Sequence, residues 1–417
     1  MKLAGAIGFG LAVLTSAGFG ADDFLDRVDE ALTGSFLHDG LRARLSGALD
    51  LEGYNFSLPA PGLVFTDHRD LFNPRLSLFL DAQIGPHVYL FAVARADRGF
   101  DAGDEDRTQL RLDEYALRLT PWTNGRAGWQ IGKFATVVGN WTQRHSSWDN
   151  PFVTAPLPYE NLTGVWDTMA VRSGRILLLW AGVRPHPSQG GALLDKYRSV
   201  PIIWGPSYAS GAAFFGGVGK FDYAVEMKNT ALSSRPEVWD AAQTQWQHPT
   251  FSGRLGYRPD VSWNLGFSAS TGTYLQPLAA PTLAAGHGLD DYRETVFGQD
   301  LGFAWHHFQF WSEVYRARFE IPRVGFADTT AYYLEAKVKF TPQFFGALRW
   351  NQQLFGTVRD SDGSPVPWGR DVWRIDLGLG YRFTSHTQFK MQNSWQHEAA
   401  DLRSSRGMAA GQFTARF

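Results

Sequence analysis

The chain has 417 residues, nearly equal numbers of acidic and basic side chains, and a formal net charge of −2. Nucleic-acid binding needs a basic balance or a basic stripe, so this charge argues against a nucleic-acid partner. Cysteine is absent, which excludes disulfides and thiolate metal sites. Aromatic residues make up 15% of the chain, a rich share for a soluble enzyme.

The N-terminus has the three parts of a secretory signal peptide, which we expect at residues 1–21. Lys2 supplies the positive charge, residues 3–14 are apolar, and small residues precede Asp22. A buried apolar helix is the alternative for this stretch. Residues 22–39 begin with acids and carry apolar residues at helical spacing, which predicts a short periplasmic helix or, alternatively, a disordered leader.

From residue 40 onward the dominant pattern is an alternation with a period of two. In residues 372–383, Trp373 and Leu379 belong to an apolar set, whereas Arg374 and Asp376 occupy the positions between. Successive side chains of a strand point to opposite faces, so this segment predicts a strand with one apolar and one charged face. The alternation changes phase at Asp113-Glu114, which predicts a β-bulge. The same alternation recurs in residues 75–84, 221–228, 332–340 and 389–396.

Short connections such as Gly85-Pro86 and Thr120-Pro121 alternate with long polar stretches. Residues 40–417 therefore predict an all-β fold, a transmembrane antiparallel β-barrel of about 18 strands with an apolar outside and a polar inside. Short turns are expected on the periplasmic side and long loops on the extracellular side. If residues 168–183 belong to a loop instead of a hairpin, the count becomes about 16. A soluble β-sandwich, with its apolar faces covered by a second sheet, is the rival fold.

Residues 132–164 are the strongest candidate for a functional segment, because they form a long, proline-stiffened stretch after a strand. Such a loop can fold into a lumen and narrow it, and packing on the outer surface is the alternative. The candidates for this constriction are Asn140, Trp141, Arg144, His145, Trp148, Asp149, Tyr159 and Glu160. We also expect Trp141, Trp148 and Tyr159 to stack on sugar rings.

Charged residues at alternate strand positions are expected to line a water-filled lumen. Their signs are mixed, which predicts weak ion selectivity, and purely structural charge ladders are the alternative. These lumen-wall candidates are Arg42, Arg75, Asp81, Arg95, Lys337, Arg349, Arg374 and Asp376.

The signal peptide, the hairpin alternation, the terminal Phe417 and the long loop after Gly-Lys-Phe at 132–134 resemble Gram-negative outer-membrane porins. In pattern the chain is similar to the phosphate-selective and related substrate porins, although those carry a lysine-rich lumen and the charges here are mixed. The resemblance implies passive diffusion of small hydrophilic solutes, saccharides or anions, across the outer membrane, without catalysis or a cofactor. It also implies contact with outer-membrane lipid, recognition of Phe417 by the barrel-assembly machinery, and a homotrimer, the state common among porins.

Two other functions stay open at this stage. One is a barrel scaffold that sheathes a periplasmic electron-transfer or secretion partner. The other is an outer-membrane esterase or lipase, since His145, Ser146 and Asp149 supply the residue types of a catalytic triad. The acidic stretch 101–106 and the pair at His306-His307 are interpreted as solvated loop residues.

Overall fold

The computed structural model describes residues 24–36, 40–57, 63–64, 69–97, 108–177, 199–236, 246–360, 362–399 and 406–417. The expected signal peptide and the acidic stretch 101–106 lie outside the described residues. No helix in the described part of the chain is long and apolar enough to cross a membrane. The helical segments are residues 24–31, Trp141–Arg144, Leu157–Glu160, residues 174–177, Pro277–Thr282 and Leu289–Asp291.

Nineteen strands form within the described residues. In chain order they are β1 Thr33–Phe36, β2 Leu41–Phe56, β3 Asp70–Ile84, β4 Val88–Asp97, β5 Gln109–Leu119, β6 Gly128–Phe134, β7 Ala209–Val218, β8 Phe221–Lys228, β9 Thr250–Tyr257, β10 Trp263–Thr273, β11 Arg293–Trp305, β12 Phe308–Ile321, β13 Gly325–Lys339, β14 Phe344–Phe355, β15 Thr357–Arg359, β16 Pro365–Pro367, β17 Val372–Arg382, β18 Thr387–Glu398 and β19 Arg406–Arg416.

Sixteen of these strands, β2 to β14 and β17 to β19, close into one antiparallel ring. β14 pairs directly with β17, because β15 and β16 form a separate small hairpin. The ring closes where β19 pairs with β2, with Met408 opposite Phe56 and Arg416 opposite Ala48. A closed ring leaves no unpaired strand edge, which a sheet surrounded by lipid cannot tolerate.

The count of 16 matches the lower of the two numbers that the sequence predicts, and the count of 18 is not found. Residues 168–173 form no strand and residues 174–177 are helical, whereas residues 178–198 lie outside the described part of the chain. Val171 and Leu177 instead belong to a buried apolar cluster. Their apolar spacing therefore reflects packing inside the barrel and not a strand in its wall.

The predicted alternation places apolar side chains on the outside of the ring. On β17, Leu377 and Leu379 are 46% and 52% exposed, whereas the intervening Asp376 is fully buried. Trp350 and Trp373 stack on the outer face with ring centroids 5.5 Å apart, as in the aromatic girdles of membrane barrels. A soluble β-sandwich is wrong for this chain, because it would bury these apolar faces against a second sheet.

The predicted bulge is confirmed. Between β4 and β5, Val93 lies opposite Glu114 while the next residue, Ala94, lies opposite Leu112. Asp113 is therefore the extra residue that shifts the phase of the alternation.

The helix at residues 24–31 lies beside the mouth of the barrel on the side of the short turns. Asp29 accepts two hydrogen bonds from Arg44, each at 3.0 Å. Asp26 accepts one at 2.8 Å from His386, in the turn between β17 and β18. β1 then pairs antiparallel with the first residues of β2. On the opposite side the connections are long, except for residues 322–324 between β12 and β13.

Candidate functional site

The connection between β6 and β7 turns into the barrel. We call its described residues, 135–177 and 199–208, the inner segment. It begins just after Gly132, whose φ of 146° is unfavourable for a residue with a side chain. Thr136 Oγ1 donates to Glu226 of β8 at 2.6 Å, and Val153 N donates to Gln392 of β18 at 2.7 Å. The inner segment therefore runs across the inner wall from β8 to β18.

Glu313 on β12 is the first anchor of the inner segment. Its carboxylate accepts hydrogen bonds from the backbone N–H groups of Asn140 and Trp141, the latter at 2.8 Å, and from Tyr159 Oη at 2.6 Å. Tyr159 also contacts the hydroxyl of Tyr315 at 2.8 Å. One buried carboxylate thus brings together the constriction candidates Asn140, Trp141 and Tyr159. No local sequence signal identifies Glu313 as their partner.

Arg144 forms the second anchor through an ion pair that the surrounding residues bury. Its Nη1 lies 2.5 Å from Glu335 Oε1 on β13, and its Nη2 donates to Tyr333 Oη at 3.0 Å. The guanidinium also lies 4.3 Å from the ring centroid of Trp311. Lys337, two residues further along the same inner face, places its ammonium 4.3 Å from the ring centroid of Phe345.

Arg349 on β14 and Arg374 on β17 form a third anchor. Both donate to Asp376 and to the backbone oxygen of Ala155, and Arg374 also pairs with Glu160. All four charged groups are at most 1% exposed.

This burial corrects one expectation from the sequence, which places Arg349, Arg374 and Asp376 on a water-filled wall. The three side chains face inward, but the inner segment covers them. Because a buried charge is costly unless it is paired, their contacts are structural and do not meet a solute.

Lys390 on β18 holds the tip of the inner segment. Its ammonium donates to the backbone oxygens of Ser147, Asn150 and Phe152 at 2.6, 2.8 and 3.1 Å. The alternation in residues 389–396 puts Lys390 on the polar face of its strand, but it gives no sign of these partners, because they lie in a distant loop.

On β11 to β13 the inner wall toward the long loops is apolar, which corrects the expectation of a polar interior for this part of the barrel. Buried side chains of the inner segment, such as Val165 and Ile202, pack there against the strands and exclude water. The wall residues of this cluster on β11, β12 and β13 are Val296, Tyr315, Ala317, Phe319, Ile321, Ala327, Ala331 and Tyr333.

Among the described residues a cavity, which we call the path, separates the inner segment from the strands on the other side of the ring. A cavity of about 820 Å³ extends from Val64 and Trp204 near the long loops to His386 and Arg416 near the short turns. It is lined by charged residues of β2 to β5, in particular Asp50, Glu52, Arg75, Arg95, Asp97, Arg111 and Asp113.

Two basic groups of this wall, Arg75 and Arg95, are more exposed than their acidic partners, whereas Arg111 is as buried as Asp97. Arg75 is 21% exposed, whereas its partners Asp50 and Glu52 are each 2% exposed. Arg95 is likewise 21% exposed, whereas its partner Asp113 is 4% exposed. On this part of the wall the guanidinium groups of Arg75 and Arg95 therefore form the surface that a solute would meet.

The tip of the inner segment faces the same path. Trp148 lies 3.8 Å from the guanidinium carbon of Arg416 and 5.0 Å from that of Arg382, measured to the ring centroid. Asp149 accepts a hydrogen bond from Ser146 Oγ at 2.7 Å. Near the short turns, Asp81 accepts a hydrogen bond from Tyr89, and Arg42 lies opposite Gln83.

His145 does not contact Ser146 through its ring. Its Nδ1 donates to the backbone oxygen of Thr142 at 2.6 Å, and Nε2 accepts from Tyr208 Oη at 2.7 Å. Burial lowers the pKa of His145 to about 4, against the opposing effect of the Thr142 bond, and Arg95 lowers it further. The hydrogen bonds needed for a serine–histidine pair are therefore not assembled here.

The expected stacking of sugars on the inner segment is wrong for two of its three aromatic residues. Trp141 is 4% exposed and Tyr159 is fully buried, so neither ring can meet a solute. Within the described residues, no cluster of three or more His, Asp or Glu side chains could hold a metal ion.

Comparison with solved structures finds barrels of the same architecture. OmpF of Salmonella typhi, in complex with daunomycin, has a TM-score of 0.56 and 9% sequence identity, covering 92% of this chain and 100% of that one. The chain has the fold of the outer-membrane porins. In-vitro folded OmpT of Vibrio cholerae has a TM-score of 0.54 and 10% sequence identity, covering 91% of this chain and 98% of that one. The anion-selective porin from Comamonas acidovorans has a TM-score of 0.53 and 11% sequence identity, covering 90% of this chain and 100% of that one.

No protein-family model and no curated protein matches the chain. The resemblance to phosphate-selective porins therefore stays a prediction. The porin fold and the exposed apolar outer face make the chain an outer-membrane β-barrel.

Proposed function

We propose that the chain is a porin of the Gram-negative outer membrane that lets small hydrophilic solutes diffuse passively. The observation that carries this proposal is the cavity beside the inner segment, whose described lining residues reach from the long loops to the short turns. The inner segment fills much of the lumen and narrows this cavity, so we expect only small solutes to pass. A scaffold would need a wide lumen for its partner, and a lumen narrowed in this way does not favour that alternative.

Within this function we propose a preference for anions. The arginines of β3 and β4 present their guanidinium groups to the path, and their acidic partners lie buried behind them. A solute that passes Arg75 and Arg95 therefore meets positive charge, although the wall carries charges of both signs. Fixed charge of one sign along a narrow path attracts counter-ions and repels ions of the same sign.

Planar-bilayer recordings test both proposals with one pair of variants. We expect stepwise conductance from the purified protein and a reversal potential of the anion-selective sign in a KCl gradient. Arg95→Gln removes an exposed lumen charge while Asp113 keeps its bond to Arg111 at 3.3 Å, so we expect weaker anion selectivity. Arg316→Gln is the matched control, since Arg316 lies outside the barrel and its partner Asp328 keeps Arg318.

The recordings separate the two proposals. A protein that gives no conductance steps would contradict the channel function. Steps with cation selectivity, or equal selectivity in Arg95→Gln and Arg316→Gln, would contradict the anion preference alone.

We also propose a homotrimer that associates through the outer face of β19, β2 and β4. This face carries small residues, among them Gly53, Ala92, Ala94, Ala409 and Gly411, and such residues let two flat sheet surfaces approach closely. One OmpT structure among the neighbours is itself a trimer form. Light scattering of the protein in detergent should give three protomers, and Ala94→Trp should lower that number, whereas a monomeric native protein would contradict the proposal.

A further inference from the structure

The inner wall near the short turns carries aromatic side chains around a single arginine. Tyr89 and Phe91 on β4 stack with ring centroids 5.9 Å apart. The guanidinium carbon of Arg118 on β5 lies 5.9, 5.8 and 5.2 Å from the ring centroids of Tyr89, Phe91 and Phe215. We call these four residues the aromatic cage. Inward-facing aromatic rings depart from the polar lining that a water-filled barrel is expected to have.

The aromatic cage borders open space. A cavity of about 920 Å³ lies against it, and all four of its side chains are only half-buried. On the wall opposite, the inward-facing aromatic Tyr333 is completely covered by the inner segment. The rings of the cage thus keep a surface on which a solute can stack.

Arg118 hydrogen-bonds a neutral side chain and not a carboxylate. Its Nε and Nη2 donate to the neutral side-chain oxygen of Gln130 at 3.0 and 2.7 Å. In the part of the chain that the structure describes, no carboxylate forms an ion pair with Arg118, whereas Arg75 and Arg95 each have such a partner. The nearby carboxylate of Glu114 accepts instead from the backbone N–H of Ala135 at 3.2 Å.

We propose that the aromatic cage binds small planar aromatic carboxylates, with benzoate as the simplest probe, on their way through the channel. The proposal rests on the channel function proposed above and names a solute class for it. A carboxylate forms a charge-assisted hydrogen bond with the unpaired guanidinium. The planar ring of the same solute packs against the aromatic side chains, which favour tilted or offset contacts. A short aliphatic acid makes only the first contact, and a neutral aromatic alcohol makes only the second.

Titration calorimetry of the protein in detergent measures binding independently of conduction. We expect benzoate to bind about tenfold more tightly than acetate or benzyl alcohol, a difference of about 1.4 kcal/mol, because each of those lacks one of the two contacts. Phe91→Ala should lower the affinity for benzoate to nearly that for acetate. Arg118→Gln should lower it to nearly that for benzyl alcohol. Phe297→Ala, which removes a 61% exposed ring from the outer face, should leave benzoate binding unchanged.

Conductance of the same samples shows which proposal fails. If the channel conducts KCl but benzoate binds no better than acetate, the aromatic cage proposal is overturned and the channel function stands. If benzoate binds in detergent and both cage variants lose that binding while no conductance is seen, the cage stands as a binding site and the channel function fails. Equal loss of binding in Phe297→Ala would assign the effect to misfolding and overturn the cage.

Discussion

The contact between Arg374 and Glu160 provides the sharpest test of how the inner segment is held. Arg374→Ala leaves Glu160 buried without its ion-pair partner, while Asp376 keeps its bond to Arg349 at 2.8 Å. Removing one partner of a buried ion pair costs about 3–5 kcal/mol. This energy corresponds to roughly two to four powers of ten in the ratio of docked to undocked conformers of residues 154–160.

The other anchors limit the damage, because Glu313, Glu335 and Lys390 still hold residues on both sides. We therefore expect local opening and not loss of the barrel: single-channel recordings of Arg374→Ala should show frequent transitions to a larger conductance. Arg316→Ala, an arginine of the outer face that is 67% exposed, should give the quiet trace of the native protein. Identical traces for both variants would refute the view that this ion pair closes part of the lumen.

Three further predictions concern the wall and the tip of the inner segment. Gly132→Ala places a Cβ 2.1 Å from the backbone oxygen of Tyr115 at a positive φ, so we expect a loss of about 1–3 kcal/mol or more, measured as a lower unfolding temperature. His145, with its lowered pKa of about 4, resists protonation in the folded state, so the unfolding temperature should fall as the pH drops from about 6.5 to 4. His145→Gln should make the unfolding temperature less dependent on pH over this range. Removal of Phe417 deletes two backbone hydrogen bonds to Gly47, each 3.0 Å, and should reduce the amount of barrel in the outer membrane; an unchanged amount would contradict a role in assembly.

The wall of the barrel could be predicted from the sequence because strand alternation is a local rule. Leu377 is exposed and Asp376 is buried because neighbouring side chains of a strand point to opposite faces, as the sequence pattern predicts. The bulge at Asp113 could also be predicted from the sequence, because one extra residue inverts the alternation on one side of it. These features need no knowledge of what lies across the lumen.

The strand count and the lining could not be predicted in the same way. Val171 and Leu177 have apolar spacing that fits a strand, yet they pack within the lumen. On β12, Ala317 and Phe319 face inward while Arg318 between them is exposed outside, the reverse of the pattern in the lipid-facing part of the wall. Both departures arise because the inner segment supplies an apolar surface inside the ring, and its position depends on residues far away in the chain.

The sign of the charge that a solute meets is a property of exposure and not of composition. The sequence offers Arg75 and Arg95 together with carboxylates on neighbouring strands, and a count of these residues predicts little selectivity. In the folded barrel the shorter acidic side chains of Asp50 and Asp113 lie against the wall, and the longer arginine side chains reach past them. Ion pairs arranged in this way between neighbouring strands give a nearly neutral inner wall a positive surface at Arg75 and Arg95. Any barrel that pairs long cations with short anions on its inner face should show the same bias, and exchanging Arg95 for the neutral Gln should weaken it at that position.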